Sequence, residues 1–253
     1  MNYRNVNILY EIDMSILNKS KIYPFLLVMV MLSIMTEFAL SLAKGMTQAM
    51  PEHKSETIRL PEPVKDSDIS IEEALSKRRS TRSYKEKPLT LAEISQLLWA
   101  AQGITSQRGL RTAPSAGALY PLEIYVVAGN VDDLHDGVYN YSPYKHELVR
   151  VVEGDKRTEL CSAALGQTSV RNAAAVIVFS AVYERTTVKY GDRGIKYVHM
   201  ESGHAAQNVF LQAVPLNLGA VVIGAFYDDA VKEVLKMSDR EQPLYIMPVG
   251  RMK

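Results

Sequence analysis

Arg78, Arg79 and Arg82 crowd into the short run KRRSTR, with Ser80 and Thr81 between them. At the end of a short helix and in the turn after it, three guanidinium groups can converge on a phosphate, because the planar fork of arginine matches its oxygens. Cations at a helix C-terminus also complement its partial negative charge, and at this point the two readings stand equal. A second stretch, APSAGALYP from Ala113 to Pro121, has almost no side-chain bulk and runs into LEIYVVA. Small residues let backbone amides approach a ligand closely, and prolines stiffen the approach. Pro114, Ser115, Ala116 and Gly117 therefore read as a backbone platform. Ser115 lacks the Gly-x-Ser-x-Gly elbow of a hydrolase nucleophile, so it reads as a hydrogen-bonding group.

Glu201 and His204, with His199 nearby, raise the question of a metal. Zinc helices use two histidines four residues apart, and bundle iron sites need a second Glu-x-x-His; neither pattern is present. The pair reads as polar groups anchoring a helix, and no metal is expected. No Gly-x-Gly-x-x-Gly follows a strand and no Walker-type Gly-Lys-Ser/Thr occurs, so the usual dinucleotide and nucleotide cradles are absent.

The elements that would position these residues are legible in part. Ser70-Ile-Glu-Glu73 and Thr90-Leu-Ala-Glu93 are capping boxes, and the second opens a helix with Leu91, Ile94, Leu97, Leu98 and Ala101 on one face, stopped by Gly103. Leu122–Ala128 alternates as a strand, 138–141 and 146–152 form a hairpin, and 173–182 is apolar throughout, as for a strand buried on both faces. A helix is expected over 197–214, a short strand over 219–224, a helix capped by Asp228, and a last strand over 244–249. The order predicts an α+β fold with helices against a mainly antiparallel sheet.

Composition bounds the function. The 253 residues are 47% apolar with a formal net charge of +1, which allows a full core and offers no basic excess for nucleic acid. The single cysteine, Cys161, excludes an intramolecular disulfide and sits among apolar neighbours as a small core residue. Near the N-terminus, IYPFLLVMVMLSIMT from Ile22 to Thr36 is uncharged, preceded by Lys19 and Lys21 and followed by Glu37 and then FALSLA to Ala43. This reads as a signal peptide cleaved before Lys44, or as an uncut membrane anchor, over residues 1–43. Either implies that the rest of the chain is exported or anchored outside the cytoplasm. Residues 44–69, rich in Glu, Lys, Pro and Ser, read as a linker or extended arm, and 70–253 as the folded domain.

Together these pieces resemble the nitroreductase superfamily of flavin enzymes, and its SagB/ThcOx branch in particular, whose members oxidise azolines to azoles in peptide natural products. The likeness rests on RRSTR at 78–82, RTAPSAGALYP at 111–121, KYGDR at 189–193, ESGH at 201–204 with Gln207-Asn208, IGAF at 223–226 and PVG at 248–250. It implies an FMN-dependent oxidoreductase of nitroreductase-like fold, dimeric, with two flavins at the interface of a homodimer. On that likeness Arg78, Ser80 and Arg82 hold the FMN phosphate and ribityl chain, with Arg79 close by and Arg251 as a further phosphate candidate. Pro114, Ser115, Ala116 and Gly117 lie beside the flavin ring, Gly224 and Ala225 present a backbone amide to it, and Lys189-Tyr190 matches the catalytic pair. The substrate implied is a small or peptide-derived molecule, with NAD(P)H as a candidate donor. Ala118 stands where classical nitroreductases have asparagine, so ring recognition differs in detail. Two alternatives accompany this reading: an NAD(P)H-dependent nitro or quinone reductase, and a non-catalytic flavin-binding module at a membrane.

Overall fold

The computed structural model of the chain describes residues 28–37 and 56–253. It divides into two units, 1–54 and 55–253. In the first, residues 28–37 are helical and exposed, and Thr36 Oγ1 donates to the carbonyls of Leu32 and Ser33. The remainder of the expected leader, and the linker as far as residue 55, lie outside the described residues. Among the described residues no helix is long and apolar enough to cross a membrane.

In the second unit the elements run β1 (Thr57–Arg59), α1 (Ile71–Lys77), α2 (Leu91–Gln102), β2 (Leu122–Ala128), β3 (Gly137–Ser142), β4 (Glu147–Glu153), α3 (Arg157–Ala163), α4 (Thr168–Asn172), β5 (Ala175–Val182), α5 (Glu184–Tyr190), α6 (Arg193–Ala213), β6 (Leu218–Ala220), α7 (Asp228–Leu235) and β7 (Glu241–Arg251). The seven strands form one sheet in the order β1-β4-β3-β2-β5-β7-β6, and every neighbouring pair is antiparallel. The α+β fold read from the sequence is the fold observed.

β5 explains the layering. All eight of its residues are buried. Because strand side chains alternate, Ala175, Ile177, Phe179 and Ala181 pack with α2 and α6, while Val176 and Val178 pack with α3, α4 and α7 on the opposite face. The continuous apolar run is thus required by two helical layers, as in a strand with no solvated side. Cys161 is buried in the second layer, where its thiol donates to the Gln167 carbonyl.

Several local expectations change in the structure. The Thr90 box is complete, with Thr90 Oγ1 accepting from the Glu93 amide and Glu93 accepting from the Thr90 amide, but at Ser70 only the first half forms because Glu73 pairs with Lys77. At α7 Tyr227 holds the N-cap position without a side-chain capping bond, and Asp228 is the first helical residue. β6 ends at Ala220, earlier than the sequence suggested, and β7 runs from Glu241, longer at both ends. The folded body also starts before Ser70. Thr57–Arg59 pairs with β4, Leu60 is buried, and the Pro61 carbonyl accepts from Ser95 Oγ and contacts His146 Nε2 at 2.9 Å. The arm was legible as extended, but its partners are too far away in sequence to be seen there.

Candidate functional site

α1 ends at Lys77, and the chain leaves it in an extended path that β6 holds from beneath. Ser80 bridges to Ala220, and the Thr81 amide donates to the Ala220 carbonyl at 2.8 Å. The approach needs glycine: a Cβ on Gly219 would stand 2.6 Å from Thr81 Cγ2. The three arginines then separate into different tasks. Arg79 Nη1 donates to the carbonyls of Ser76 and Arg78 at 2.9 and 2.8 Å, so it caps α1. The Arg78 guanidinium lies 5.2 Å from the Phe210 ring centroid and Arg82 is exposed, and neither guanidinium has a hydrogen bond or ion pair with another described residue. A cavity of 200 Å³ is lined by Lys77, Arg78, Arg79, Phe210 and Asn217 among others, and Arg82 is not part of its wall. An Arg78 guanidinium without an acceptor on this basic-rimmed cavity fits a phosphate.

Arg251 is different. Its Nη1 and Nη2 fork onto both carboxylate oxygens of Glu93 at 2.6 and 2.8 Å, tying the end of β7 to the start of α2. Its fork is already filled, so the phosphate expectation for Arg251 is not carried forward.

The small-residue loop is built by anchors on three sides. Thr112 Oγ1 donates to the Trp99 carbonyl, and Ala113 is fully buried. A single turn follows at Ala116–Ala118, with the Ala118 amide donating to the Ser115 carbonyl. Gly117, Ala118 and Tyr120 have φ of 64°, 53° and 46°, left-handed values that cost a non-glycine residue roughly 1–2 kcal/mol each. Strain of this kind persists only where surroundings over-determine it. Here Ser115 Oγ accepts from the Tyr120 amide at 2.9 Å, Arg185 Nη1 reaches the Tyr120 carbonyl at 3.3 Å, and Arg111 stacks 4.4 Å from the Tyr120 ring centroid. Ser115 therefore closes the loop on itself.

On the outside of this loop the structure brings in the two residues of the KY motif. A Cβ on Gly117 would lie 2.8 Å from Tyr190 Oη and 3.0 Å from Lys189 Nζ. Tyr190 is half-buried against Tyr197 with ring centroids 5.1 Å apart, and Lys189 is exposed with Nζ 5.3 Å from the Tyr190 centroid. Gly117→Ala is therefore expected to cost about 1–2 kcal/mol from its left-handed backbone, and to push both side chains aside. Urea denaturation checks the first effect; unchanged stability would refute it.

Gly224 and Ala225 are exposed after Ile223 pairs with Ile246. A Cβ on Gly224 would meet only Tyr245 Cε1, at 3.9 Å, and neither amide N–H has an acceptor among the described residues. Open space beside unclaimed donors suits the edge of a planar ring. No hydrogen bond or ion pair among the described residues joins the 111–121 loop to 78–82 or 223–226. The chain thus presents two groups: 78–82 against β6, and the 114–117 loop with Lys189 and Tyr190.

From the sequence Glu201 read only as a polar group anchoring its helix, and not as a group near the loop. Glu201 on α6 is 2% exposed. Burial pushes its carboxyl up to about 7, against the downward pull of Ser115, Arg111 and Gln102 beside it. Its signal was present in the spacing, since Val198, Glu201 and Ala205 share the buried stripe of α6, where a carboxylate is out of place.

Comparison with known proteins identifies the family. The sequence pattern of the Nitroreductase family matches residues 75–251. A Methanocaldococcus jannaschii protein with a provisional nitroreductase name is 52% identical over 184 residues, 73% of this chain and 92% of that protein. A solved structure from Anabaena variabilis, also provisionally named a nitroreductase, superposes with a TM-score of 0.70 at 35% identity, covering 79% of this chain and 42% of that one. The microcin B17-processing protein of Escherichia coli is 27% identical over 146 residues, 55% of this chain and 54% of the relative, so the match spans about half its length. Members of the family are flavin oxidoreductases, and this chain belongs to the nitroreductase family.

Proposed function

We propose that this chain is an FMN-dependent oxidoreductase of the SagB/ThcOx type, acting on a small or peptide-derived substrate. The observation that carries the reading is the contact of the Gly117 loop with Tyr190 Oη and Lys189 Nζ, which sets two proton-handling groups against the platform expected beside the flavin ring. The likeness to a microcin B17-processing protein supports a peptide-derived substrate.

Bound FMN would supply hydride acceptance and donation. Arg78, Ser80 and Arg82 would hold its phosphate, Arg79 would keep the end of α1 in place, and the amides of Gly224 and Ala225 would face the ring. Pro114, Ser115, Ala116 and Gly117 would limit the ring's other edge and exclude water from it. A homodimer with the flavins at its interface belongs to the same reading. Lys189 as an ammonium offers three donors and no acceptor, so it can hold an acceptor atom of the substrate. Tyr190 Oη can give or take a proton, which suits it to the proton that accompanies hydride transfer.

The visible spectrum of the purified protein is the test. A yellow dimer that releases FMN on denaturation, and loses it when Arg78 and Arg82 are both replaced by alanine, is expected; a chain that cannot take up added FMN overturns the reading. A second reading, an NAD(P)H-dependent nitro or quinone reductase, is favoured by the provisional name of the Methanocaldococcus relative. Rapid bleaching of bound flavin by NADH, with reoxidation by a nitroarene or quinone, selects it over azoline oxidation. A dithionite-reduced protein that no acceptor reoxidises would instead mark a non-catalytic module. Export or anchoring through residues 1–43 is part of the same proposal, and N-terminal sequencing of the protein from fractionated cells checks it.

A further inference from the structure

PVG at 248–250 has no part in the proposed reaction, yet it forms the seat of a buried side chain, Tyr84. A Cβ on Gly250 would stand 2.8 Å from Tyr84 Cγ and 2.9 Å from Cδ1, so β7 admits the ring because residue 250 is glycine. Tyr84 is 5% exposed and bridges to Met252, and the Lys85 amide after it donates to the Arg251 carbonyl at 2.9 Å. From this seat the hydroxyl reaches two carbonyls, that of Thr81 at 2.7 Å and that of Pro248 at 3.2 Å. Burial pushes the hydroxyl well above the usual tyrosine range, against the pull of Arg82, so it keeps its proton and donates.

The nearer acceptor lies within the arginine run. The Thr81 amide donates to the Ala220 carbonyl at 2.8 Å, its side chain packs on Gly219, and its carbonyl accepts from Tyr84 Oη. Thr81 is part of the wall of the 200 Å³ cavity, whereas its neighbours Ser80 and Arg82 are exposed. With the peptide planes on both sides of Thr81 held, the backbone that carries Ser80 and Arg82 is held as well.

We propose that Tyr84 is a positioning residue for the phosphate end of the site: seated on Gly250, its hydroxyl holds the Thr81 carbonyl and so places Ser80 and Arg82 for the ligand. The inference rests on the proposed function in taking a phosphate as that ligand; the hold on Thr81 belongs to the chain alone. It also gives the closing PVG a task, since the Pro248 carbonyl takes the second share of the hydroxyl proton and Gly250 leaves room for the ring.

Binding of FMN and of riboflavin to the full chain, followed by quenching of flavin fluorescence, tests it, because riboflavin has the ring and ribityl chain without the phosphate. Tyr84→Phe keeps the aromatic ring and removes the hydroxyl. It is expected to weaken FMN by about tenfold or more and riboflavin by less than about twofold, since the Thr81 carbonyl loses its partner and the lost order falls at the phosphate end. Added to Arg82→Ala, it is expected to weaken FMN little further, because both act on one group of contacts. Gly250→Ala, which drives the ring from its seat, is expected to repeat the Tyr84→Phe pattern. Equal losses for the two flavins overturn the proposal and mark a general loosening, and so does wild-type FMN binding in Tyr84→Phe. Amide hydrogen exchange without flavin is the second measurement: the Thr81 amide is expected to exchange about tenfold faster or more in Tyr84→Phe, with β5 unchanged. Wild-type exchange at Thr81 overturns the hold. A wild-type chain that takes up no FMN overturns the proposed function, and the exchange rates then decide the hold on Thr81 by themselves.

Discussion

Replacing Lys189 by alanine and Tyr190 by phenylalanine is expected to slow turnover by roughly 100-fold or more while leaving bound FMN in place. The two substitutions are gentle on the fold. Lys189 is exposed and has no ion pair among the described residues, and phenylalanine keeps the edge-to-face packing of Tyr190 on Tyr197 while removing only the Oη that faces Gly117. The phosphate grip proposed for Arg78 and Arg82 depends on neither. A fall in kcat with unchanged flavin content therefore isolates proton handling from cofactor binding. If the two groups serve one proton, the double variant is expected to be little slower than the slower single one, since residues acting as a unit are not additive. Single-turnover flavin reoxidation with a candidate substrate is the measurement. Wild-type rates in both single variants would remove Lys189 and Tyr190 from the chemistry.

What the sequence disclosed follows from which interactions are local. The Thr90 capping box, the alternation of Leu122–Ala128 and the apolar run of β5 are each decided within a few residues, and each is observed at the expected place. α3, α4 and α5 escaped notice because they are five to seven residues long, too short for a periodic signal. The start of the folded body was misjudged for the opposite reason: β1 exists only through pairing with β4, and His146 that helps pin Pro61 lies far along the chain. The same division runs through the site. The arginine run was visible, but its split into a cap and two unpaired guanidinium groups, like the ion pairing of the distant Arg251, was set by Ser76, Phe210 and Glu93, which no spacing rule links to them. That Gly117 abuts Tyr190 was equally out of reach, since α5 is brought to the loop by the pairing of β5 with β2.

Glu201→Gln is expected to make the protein more stable than wild type at alkaline pH and no more stable in acid. The sign follows from proton counting. The Glu201 carboxyl stands at about 7 in the folded chain, chiefly because burial disfavours its charge, against an ordinary value of 4.5. Between those values the folded state holds the proton and the unfolded state has lost it, so stability falls as pH rises through this window. The penalty is absent below the unfolded value and complete above the folded one. A shift of this size amounts to about 3 kcal/mol as an upper figure, because Ser115, Arg111 and Gln102 can rearrange around the ionised group. Glutamine matches the side chain in shape and carries no charge, so the wild-type loss does not occur in the variant. The measured quantity is the difference in unfolding free energy between variant and wild type at a series of pH values, in which titration of other carboxylates cancels. The difference is expected to grow in favour of glutamine from about pH 4.5 to about pH 7 and to level off beyond. A difference that stays flat across that window would mean that Glu201 ionises as freely in the folded chain as in the unfolded one.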